Sequence, residues 1–240
     1  SKLMKRIFKP GRKVFISSPH NHFTLEETAS KSYLMGGGIG ITPMIAMAHR
    51  LHDLNRDFEL HYSARARDVA GFLDDLTSVP WADKIHYHFS DEDSRADLKQ
   101  IFADMRPGYH AYVCGPDHFM TAVLEAAEKA GYPEDRLHRE YFSVPETPEY
   151  INYDFILKLA RSGREIPVPA DKTALVALAE AGVYVDAKCS DGLCGVCSCT
   201  LIDGDVEHRD FVLGKADRTG KIILCSSRAR KEGGVVTIDL

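Results

Sequence analysis

Three of the chain's six cysteines lie within nine consecutive residues, CSDGLCGVC, at positions 189 to 197. Cys189, Cys194 and Cys197 follow a C-x4-C-x2-C spacing, and Cys225 lies 28 positions beyond the last of them. This spacing is typical of a plant-type [2Fe–2S] site, in which one loop supplies three thiolates and a distant residue supplies the fourth. The pattern therefore predicts an iron–sulfur cluster.

Structural zinc is the alternative for the same cysteines. Zinc sites usually pair two C-x2-C knuckles, or combine one knuckle with two histidines. Only Cys194 and Cys197 form a knuckle here, and His208 has no second histidine at a suitable spacing. Gly192 and Gly195 would let the loop turn tightly and direct amide N–H groups at the sulfur atoms. The spacing thus favours iron–sulfur over zinc.

A second candidate site is the sequence GGGIGITP at residues 36 to 43. Glycines between a predicted strand and a predicted helix let the backbone approach a phosphate, and the helix N-terminus supplies free N–H groups. Thr42 is predicted to cap that helix, with Pro43 at its first position. The glycines match the dinucleotide fingerprint imperfectly, so a plain strand-to-helix turn remains the alternative for this stretch.

Two more residues lie at the ends of predicted strands. Arg65 follows FELHYSA, near the position at which the dinucleotide fingerprint has an acidic residue. The sequence therefore does not distinguish NADH from NADPH as the cofactor. Cys114 ends another strand, where a thiol either lines a nicotinamide pocket or is a buried strand residue. His86 and His88 share a strand face without an evident third ligand, and we interpret them as surface residues.

These residues are positioned by two kinds of framework. Before a proline-containing linker at residues 143 to 152, short apolar strands alternate with helical stretches, which predicts a parallel sheet with helices on both faces. Ligands of such α/β domains bind at the carboxyl ends of the strands. After the linker, a hairpin, one helix and short strands indicate an α+β domain.

Composition excludes several other classes of protein. The 240 residues carry a formal net charge of -5 without a long basic stripe, which argues against nucleic acid as a partner. No apolar run approaches the roughly 20 residues of a membrane span, and the first residues do not resemble a signal peptide. We therefore expect a cytoplasmic protein with no membrane partner. Its clustered thiols are expected to bind metal rather than form disulfides, and Cys199 is interpreted as a small buried side chain.

Five motifs together resemble the phthalate dioxygenase reductase family, the reductase components of Rieske-type oxygenases. They are GGIGITP (37 to 43), YVCGPDHFM (112 to 120), EYF (140 to 142), the cysteine motif with Cys225, and DVEHRD (205 to 210). The resemblance covers nearly the whole chain. It implies a ferredoxin-reductase-like NAD-binding domain at residues 26 to 142 and a plant-type ferredoxin domain of β-grasp fold at residues 153 to 240.

The resemblance also implies a role for each matching residue. Gly37, Gly38, Gly40, Thr42 and Pro43 would line the NAD site, Arg65 would contact the adenosine or phosphate part, Cys114, Gly115 and Pro116 would lie beside the nicotinamide, and Phe142 would lie near the flavin ring. Of these, Cys114 and Phe142 are the candidate catalytic residues. The four cysteines would hold the cluster.

Residues 1 to 25 depart from the family pattern. Members begin with a flavin-binding β-barrel, and FKPGRKVFISSPHNHFTL (8 to 25) matches only the last strand and exit of such a barrel. NADH delivers a hydride whereas the cluster accepts one electron, and a flavin normally splits the pair. Our hypothesis is that FMN belongs to the complete protein and is not bound by this chain, which would then couple NADH to the cluster inefficiently.

The predicted function is electron transfer from NADH through FMN to a [2Fe–2S] cluster, and from there to a separate Rieske-type oxygenase. That oxygenase could be a monooxygenase, a dioxygenase or a demethylase. One alternative is a [2Fe–2S] carrier joined to a non-catalytic nucleotide-binding or docking module. The other is a zinc-stabilised interaction protein.

Overall fold

A computed structural model describes residues 2–16, 18, 21–104, 106–145 and 149–240. Residues 146 to 148 of the predicted linker lie outside the described residues, as do four positions of the predicted barrel remnant. The helices are α1 (Lys2–Ile7), α2 (Ile41–Asp53), α3 (Leu73–Thr77), α4 (Leu98–Ile101), α5 (Asp117–Lys129) and α6 (Ala174–Glu180). None of these helices, within the part of the chain described, is long and apolar enough to cross a lipid bilayer.

The first domain is built on a five-stranded sheet in which each pair of neighbouring strands is parallel. Its strands are β1 (Lys31–Gly37), β2 (Phe58–Ala64), β3 (Ile85–Phe89), β4 (Tyr109–Cys114) and β5 (Leu137–Glu140), in the spatial order β3-β2-β1-β4-β5. The chain winds outward from β1 in both directions, which confirms the predicted α/β fold. The carboxyl ends of β1 and β4 meet at one edge of the sheet, where a doubly wound domain binds its ligand.

Each face of this sheet packs into its own core. Successive residues of a strand point to opposite faces, so Leu34 and Tyr112 join the core beneath α2, while Met35 and Val113 join the core beneath α5. The central strand β1 is buried on both faces, and this explains its continuous apolar character. The two cores hold the β1 and β4 ends rigidly beside each other.

The beginning of α2 corrects one prediction. The helix starts at Ile41 with Gly40 as its N-cap, and Thr42 does not cap it. A 3₁₀ turn at Gly38–Gly40 leads directly into the helix, so Thr42 already lies inside the first turn. Its hydroxyl donates to the Ile39 carbonyl at 3.0 Å instead of accepting from the backbone.

The chain before β1 differs from one expectation. Residues 8 to 25 were expected to include the last strand of a barrel, but the residues described there form no strand, and α1 is the only regular element among the described residues before β1. A strand needs a neighbour to pair its N–H and C=O groups, and none of the described strands pairs with this segment. The segment is instead anchored at its end, where the Tyr112 hydroxyl accepts the Glu26 N–H at 2.8 Å and Phe23 packs on the Tyr112 ring.

The second domain has the mixed sheet and single helix that the sequence predicts. Its strands are β6 (Phe155–Leu159), β7 (Glu165–Val168), β8 (Ser198–Asp203), β9 (Val206–Glu207), β10 (Lys221–Ile223), β11 (Arg228–Ala229) and β12 (Gly234–Ile238). The main sheet has the order β10-β8-β12-β6-β7, in which β6 and β12 are parallel and the hairpin β6–β7 is antiparallel. Helix α6 covers this sheet through Ala174, Ala177 and Leu178. The arrangement fits the predicted β-grasp fold.

The linker and the domain interface are held by specific contacts. The Arg209 guanidinium donates to the Ile151 carbonyl and to the Asn152 side chain, and it also pairs with Glu207. Across the interface, the Lys215 N–H donates to the Glu134 carboxylate at 3.1 Å. The contact to Glu134 sets the ferredoxin domain beside β5, the edge strand of the first sheet.

A histidine pair on β4 and β5 should make the first domain sensitive to acid. Burial, and then the neighbouring His110, lower the pKa of His138 from 6.5 to about 4. The unfolded chain therefore binds more protons between these values, and the free energy of unfolding should fall as the pH is lowered from 6.5 to 4. We expect His138→Gln to remove about 1–2 kcal/mol of this acid-dependent loss, after allowing for partial exposure.

Urea unfolding at neutral pH and near pH 5 would measure this effect. His118→Gln is the matched control, because His118 is exposed on α5 and should leave the pH dependence unchanged. An equally steep acid dependence in the His138 variant would contradict the prediction.

Candidate functional site

The cysteine loop between α6 and β8 is shaped by residues with positive φ. Ser190, Gly192 and Gly195 have φ of 62°, 73° and 70°, in the left-handed region that glycine adopts without strain. A Cβ at Gly192 would lie 2.9 Å from the Ser226 hydroxyl, so only glycine lets the loop pack against the chain after Cys225. The loop thereby brings its three cysteines to the fourth, as the spacing predicts.

Backbone amides in this loop point at sulfur atoms. The Gly192 N–H donates to Cys225 Sγ at 3.3 Å, and the Asp191 N–H donates to Cys189 Sγ at 3.4 Å. Cys197 and Cys225 are buried and share a hydrogen bond, which lowers the pKa of Cys197 to about 6 and raises that of Cys225. Sulfur atoms that accept N–H groups from the backbone suit an anionic iron–sulfur cluster, so the residues present fit the group.

Glycines also shape the second site, at the ends of β1 and β4. A Cβ at Gly40 would overlap the Cys114 carbonyl group and lie 2.6 Å from the Gly115 nitrogen. A Cβ at Gly37 would lie 2.7 Å from the Phe119 ring. The first turn of α2 therefore packs directly on the end of β4, and the helix N-terminus faces the groove between them.

This groove is a pocket of about 240 Å³ that contains several of the predicted NAD-site residues. Gly37, Gly38, Gly115, Pro116 and Phe142 all line it. Cys114 does not line the pocket itself: it is only 1% exposed and belongs to the core beneath α2, where burial raises the pKa of its thiol to about 12. A partly apolar pocket beside a helix N-terminus suits a nicotinamide ring with its pyrophosphate nearby.

Five of the predicted residues do not line this pocket, namely Gly40, Thr42, Pro43, Arg65 and Cys114. Arg65 is exposed immediately after β2, two positions beyond Ser63, the residue paired with Gly37. Pro43 lines a different cleft, together with Phe23 and Met47. Arg65 thus lies beyond the strand end at the same edge as the glycine loop, whereas Pro43 faces the other side of α2.

A larger cleft of about 730 Å³ lies between the two domains. The first domain contributes His138, Glu140 and Tyr141 to its wall, and the ferredoxin domain contributes Cys189 and Cys194. Tyr141 lines both this cleft and the smaller pocket, and its ring contacts Phe211 of the ferredoxin domain at 5.3 Å between centroids. Tyr141 therefore connects the dinucleotide side to the cysteine loop.

Sequence reasoning missed this position, although EYF was part of the family resemblance. Tyr141 directly precedes Phe142, and only the packing of the two domains shows that it borders both cavities. Phe211 has no sequence signal beyond its place directly after DVEHRD.

Family models match both domains. The model of the 2Fe-2S iron-sulfur cluster binding domain matches residues 157–230, and that of the dimethylamine monooxygenase subunit DmmA-like N-terminal domain matches residues 16–137. Vanillate O-demethylase oxidoreductase from a Pseudomonas species is 38% identical over 234 residues, which cover 96% of this chain and 74% of the relative. Phthalate dioxygenase reductase from Burkholderia cepacia is 36% identical over 223 residues, covering 92% and 69%. The chain belongs to the phthalate dioxygenase reductase family.

A solved structure of phthalate dioxygenase reductase, whose description names electron transfer from pyridine nucleotides to [2Fe–2S], confirms the architecture. It matches with a TM-score of 0.58 at 34% identity and covers 93% of this chain and 70% of its own. As a family member, the chain is an NAD(P)H-dependent oxidoreductase that serves as the electron-transfer component of an oxygenase system. Its C-terminal domain binds a [2Fe–2S] cluster, so zinc is not the metal of the cysteine motif.

Proposed function

We propose that this reductase passes electrons from NADH, through the FMN of the complete protein, to a cluster held by Cys189, Cys194, Cys197 and Cys225. The observation that carries the proposal is the position of Tyr141 between the dinucleotide pocket and the cleft, whose opposite wall contains Cys189 and Cys194. Two neighbouring cavities that share Tyr141 thus lie between the predicted hydride donor and the predicted cluster. When bound, the flavin supplies the conversion of a hydride into single electrons.

The residues of the chain position the reactants in this scheme. Gly37, Gly38 and Gly40 let the backbone approach the pyrophosphate, and Gly115 and Pro116, which directly follow the buried Cys114, line the pocket proposed for the nicotinamide. No proton transfer by a side chain is needed, because hydride transfer depends on distance and alignment. Phe142 is more than half exposed, which suits a residue that packs against a bound ring.

The partner in this proposal is a Rieske-type oxygenase, and the location is the cytoplasm. Relatives named as reductases of vanillate O-demethylase, carnitine monooxygenase and phthalate dioxygenase systems support an oxygenase partner. A motif whose clustered thiols are expected to bind metal rather than form disulfides fits a reducing compartment. We also propose domain boundaries near residues 25, 142 and 153.

Anaerobic visible spectroscopy of the reconstituted chain tests the electron route. We expect dithionite to bleach the cluster band, NADH alone to bleach it slowly, and NADH with added FMN to bleach it at least about tenfold faster. Mixing the reduced chain with an oxidised Rieske-type oxygenase should then transfer the electrons onward.

Each failure would identify a different error. A chain that dithionite bleaches, but that neither binds NADH nor responds to it with FMN present, would support the carrier with a non-catalytic module. Rapid bleaching by NADH without added flavin would contradict the proposed requirement for FMN.

A further inference from the structure

Four polar side chains gather on the face of the first sheet opposite to α2, away from both cavities described above. Glu59 and His61 lie on β2, and His86 and His88 lie on β3. The parallel register pairs His61 directly with His86, and their rings stack at 4.7 Å between centroids. His61 is only 3% exposed, whereas His86 is open to solvent. The group is therefore anchored inside the domain and accessible from outside.

Three of these residues place possible ligand atoms close together. One carboxylate oxygen of Glu59 and one ring nitrogen each of His61 and His86 all lie within 4.8 Å of one another. The His61 Nε2 atom is 3.3 Å from Glu59 Oε2. Imidazole and carboxylate are ligands that zinc and similar divalent ions prefer.

The three hydrogen-bond contacts made by His61 and His88 need one more proton than two neutral imidazoles carry. From Glu59 the chain runs to His61 Nε2, from His61 Nδ1 to His88 Nε2 at 3.1 Å, and from His88 Nδ1 to the Ser94 carbonyl at 3.3 Å. Both ends of this chain are acceptors. Two neutral imidazoles supply two N–H groups for three contacts, so one contact must join two acceptors.

The surroundings of His61 do not favour a third proton, which would complete the contacts by giving one imidazole a positive charge. His61 is only 3% exposed and its ring stacks on those of His86 and His88, so a charged imidazole here would be buried against two other rings. If His88 donates to Ser94 and His61 donates to His88, the lone pair of His61 Nε2 faces the Glu59 carboxylate. A cation between these two atoms would turn their repulsion into two favourable contacts.

We propose that Glu59, His61 and His86 bind a divalent transition-metal ion of the zinc class, and that His88 fixes the tautomer of His61 for this purpose. The remaining coordination position is left to water, since His86 borders solvent. Lys31 contacts the other oxygen of Glu59 at 2.5 Å, which leaves Oε2 to the metal and holds the carboxylate in place. The site is distinct from the cysteine loop in both ligand type and domain.

The bound ion would connect an edge strand to its neighbour. Strand β3 is at the end of the sheet and is held laterally by β2 alone among the described strands. Because two ligands come from β2 and one from β3, the ion would oppose separation of the pair. Binding to the folded state alone would then raise the unfolding temperature of the first domain in proportion to the logarithm of the free metal concentration.

Calorimetric titration with Zn²⁺ tests the proposal on the chain with its cluster loaded, so that the four cysteines are already engaged. We expect one ion to bind per chain, without loss of iron. His86→Gln and Glu59→Gln should each weaken binding by at least about tenfold, and His88→Gln by about 10-fold to 100-fold through loss of the tautomer-fixing hydrogen bond. His118→Gln, an exposed histidine on α5, is the control and should bind as the parent does.

X-ray absorption at the zinc edge separates this site from the cysteines. Only nitrogen and oxygen ligands at about 2.0–2.2 Å are expected, with no sulfur at about 2.3 Å. Sulfur ligands, or equal affinity of the parent and the His86→Gln variant, would overturn the proposal. So would the absence of any Zn²⁺ binding by a folded, cluster-loaded chain.

Discussion

Replacing Cys225 with alanine is expected to remove most of the iron and acid-labile sulfide from the purified protein and to abolish its visible absorbance band. Cys225 is 4% exposed, lies outside the loop that carries the other three cysteines, and accepts the Gly192 N–H. Without its sulfur the cluster loses both a ligand and the contact that ties the loop to the residues after β10. We expect the cluster content to fall at least about tenfold, since even an outer contact of a metal site is worth that much.

Cys199→Ala provides the matched control for this variant. Cys199 is two residues from Cys197, but its thiol packs against the ferredoxin core, close to the Asp239 carbonyl, and burial raises its pKa. We expect this variant to keep its full iron content and spectrum. Iron analysis and visible spectroscopy of both variants decide the matter. An intact cluster in the Cys225 variant, or its loss in the Cys199 variant, would show that the proposed ligand set is wrong.

Replacing Gly40 with alanine is expected to damage both the stability of the first domain and its binding of NADH. The added Cβ would overlap the Cys114 carbonyl, which is backbone and cannot rotate away. Helix α2 and the end of β4 would have to separate, and the destabilisation should be about 1–3 kcal/mol, the usual cost of overpacking. Because the dinucleotide groove lies between these same two elements, we expect NADH affinity to fall at least about tenfold.

The control for backbone effects of a glycine-to-alanine change is Gly71→Ala. Gly71 lies in the same domain, and a Cβ there would have no heavy atom within 4 Å. Urea unfolding and NADH titration should give values for this variant close to those of the parent. If Gly40→Ala binds NADH normally and unfolds at the same urea concentration, then the close approach of α2 to Cys114 has no part in the site.

Local patterns in the sequence determined the larger features of this protein. The spacing of Cys189, Cys194 and Cys197 predicted the cluster because a loop that wraps a small anion needs its ligands at short, defined separations. Alternating strands and helices predicted the parallel sheet, since such connections bury both faces of the strands. The predicted sheet also placed Cys114 and the glycine loop at the same edge, because the carboxyl ends of parallel strands face the same way.

Features that depend on exact element ends were predicted less well. The helical stretch before β4 is shorter than an alternating pattern of strands and helices suggests, because α4 covers only Leu98–Ile101, with Asp97 as its cap. The N-cap of α2 is Gly40 and not the predicted Thr42, because the preceding 3₁₀ turn was not recognisable in the sequence. Helix ends depend on a few competing hydrogen bonds, each worth about 1 kcal/mol, so tertiary contacts readily shift them.

Only the tertiary structure brought together residues that are distant along the chain. His86 and His88 looked like surface residues because their neighbours, Glu59 and His61, lie on another strand, and register decides whether side chains on two strands meet. The cleft lined by Tyr141 and Cys189 likewise depends on how the two domains pack. Sequence patterns report the spacing of residues within an element, whereas contacts between elements follow from register and packing, which many distant residues set together.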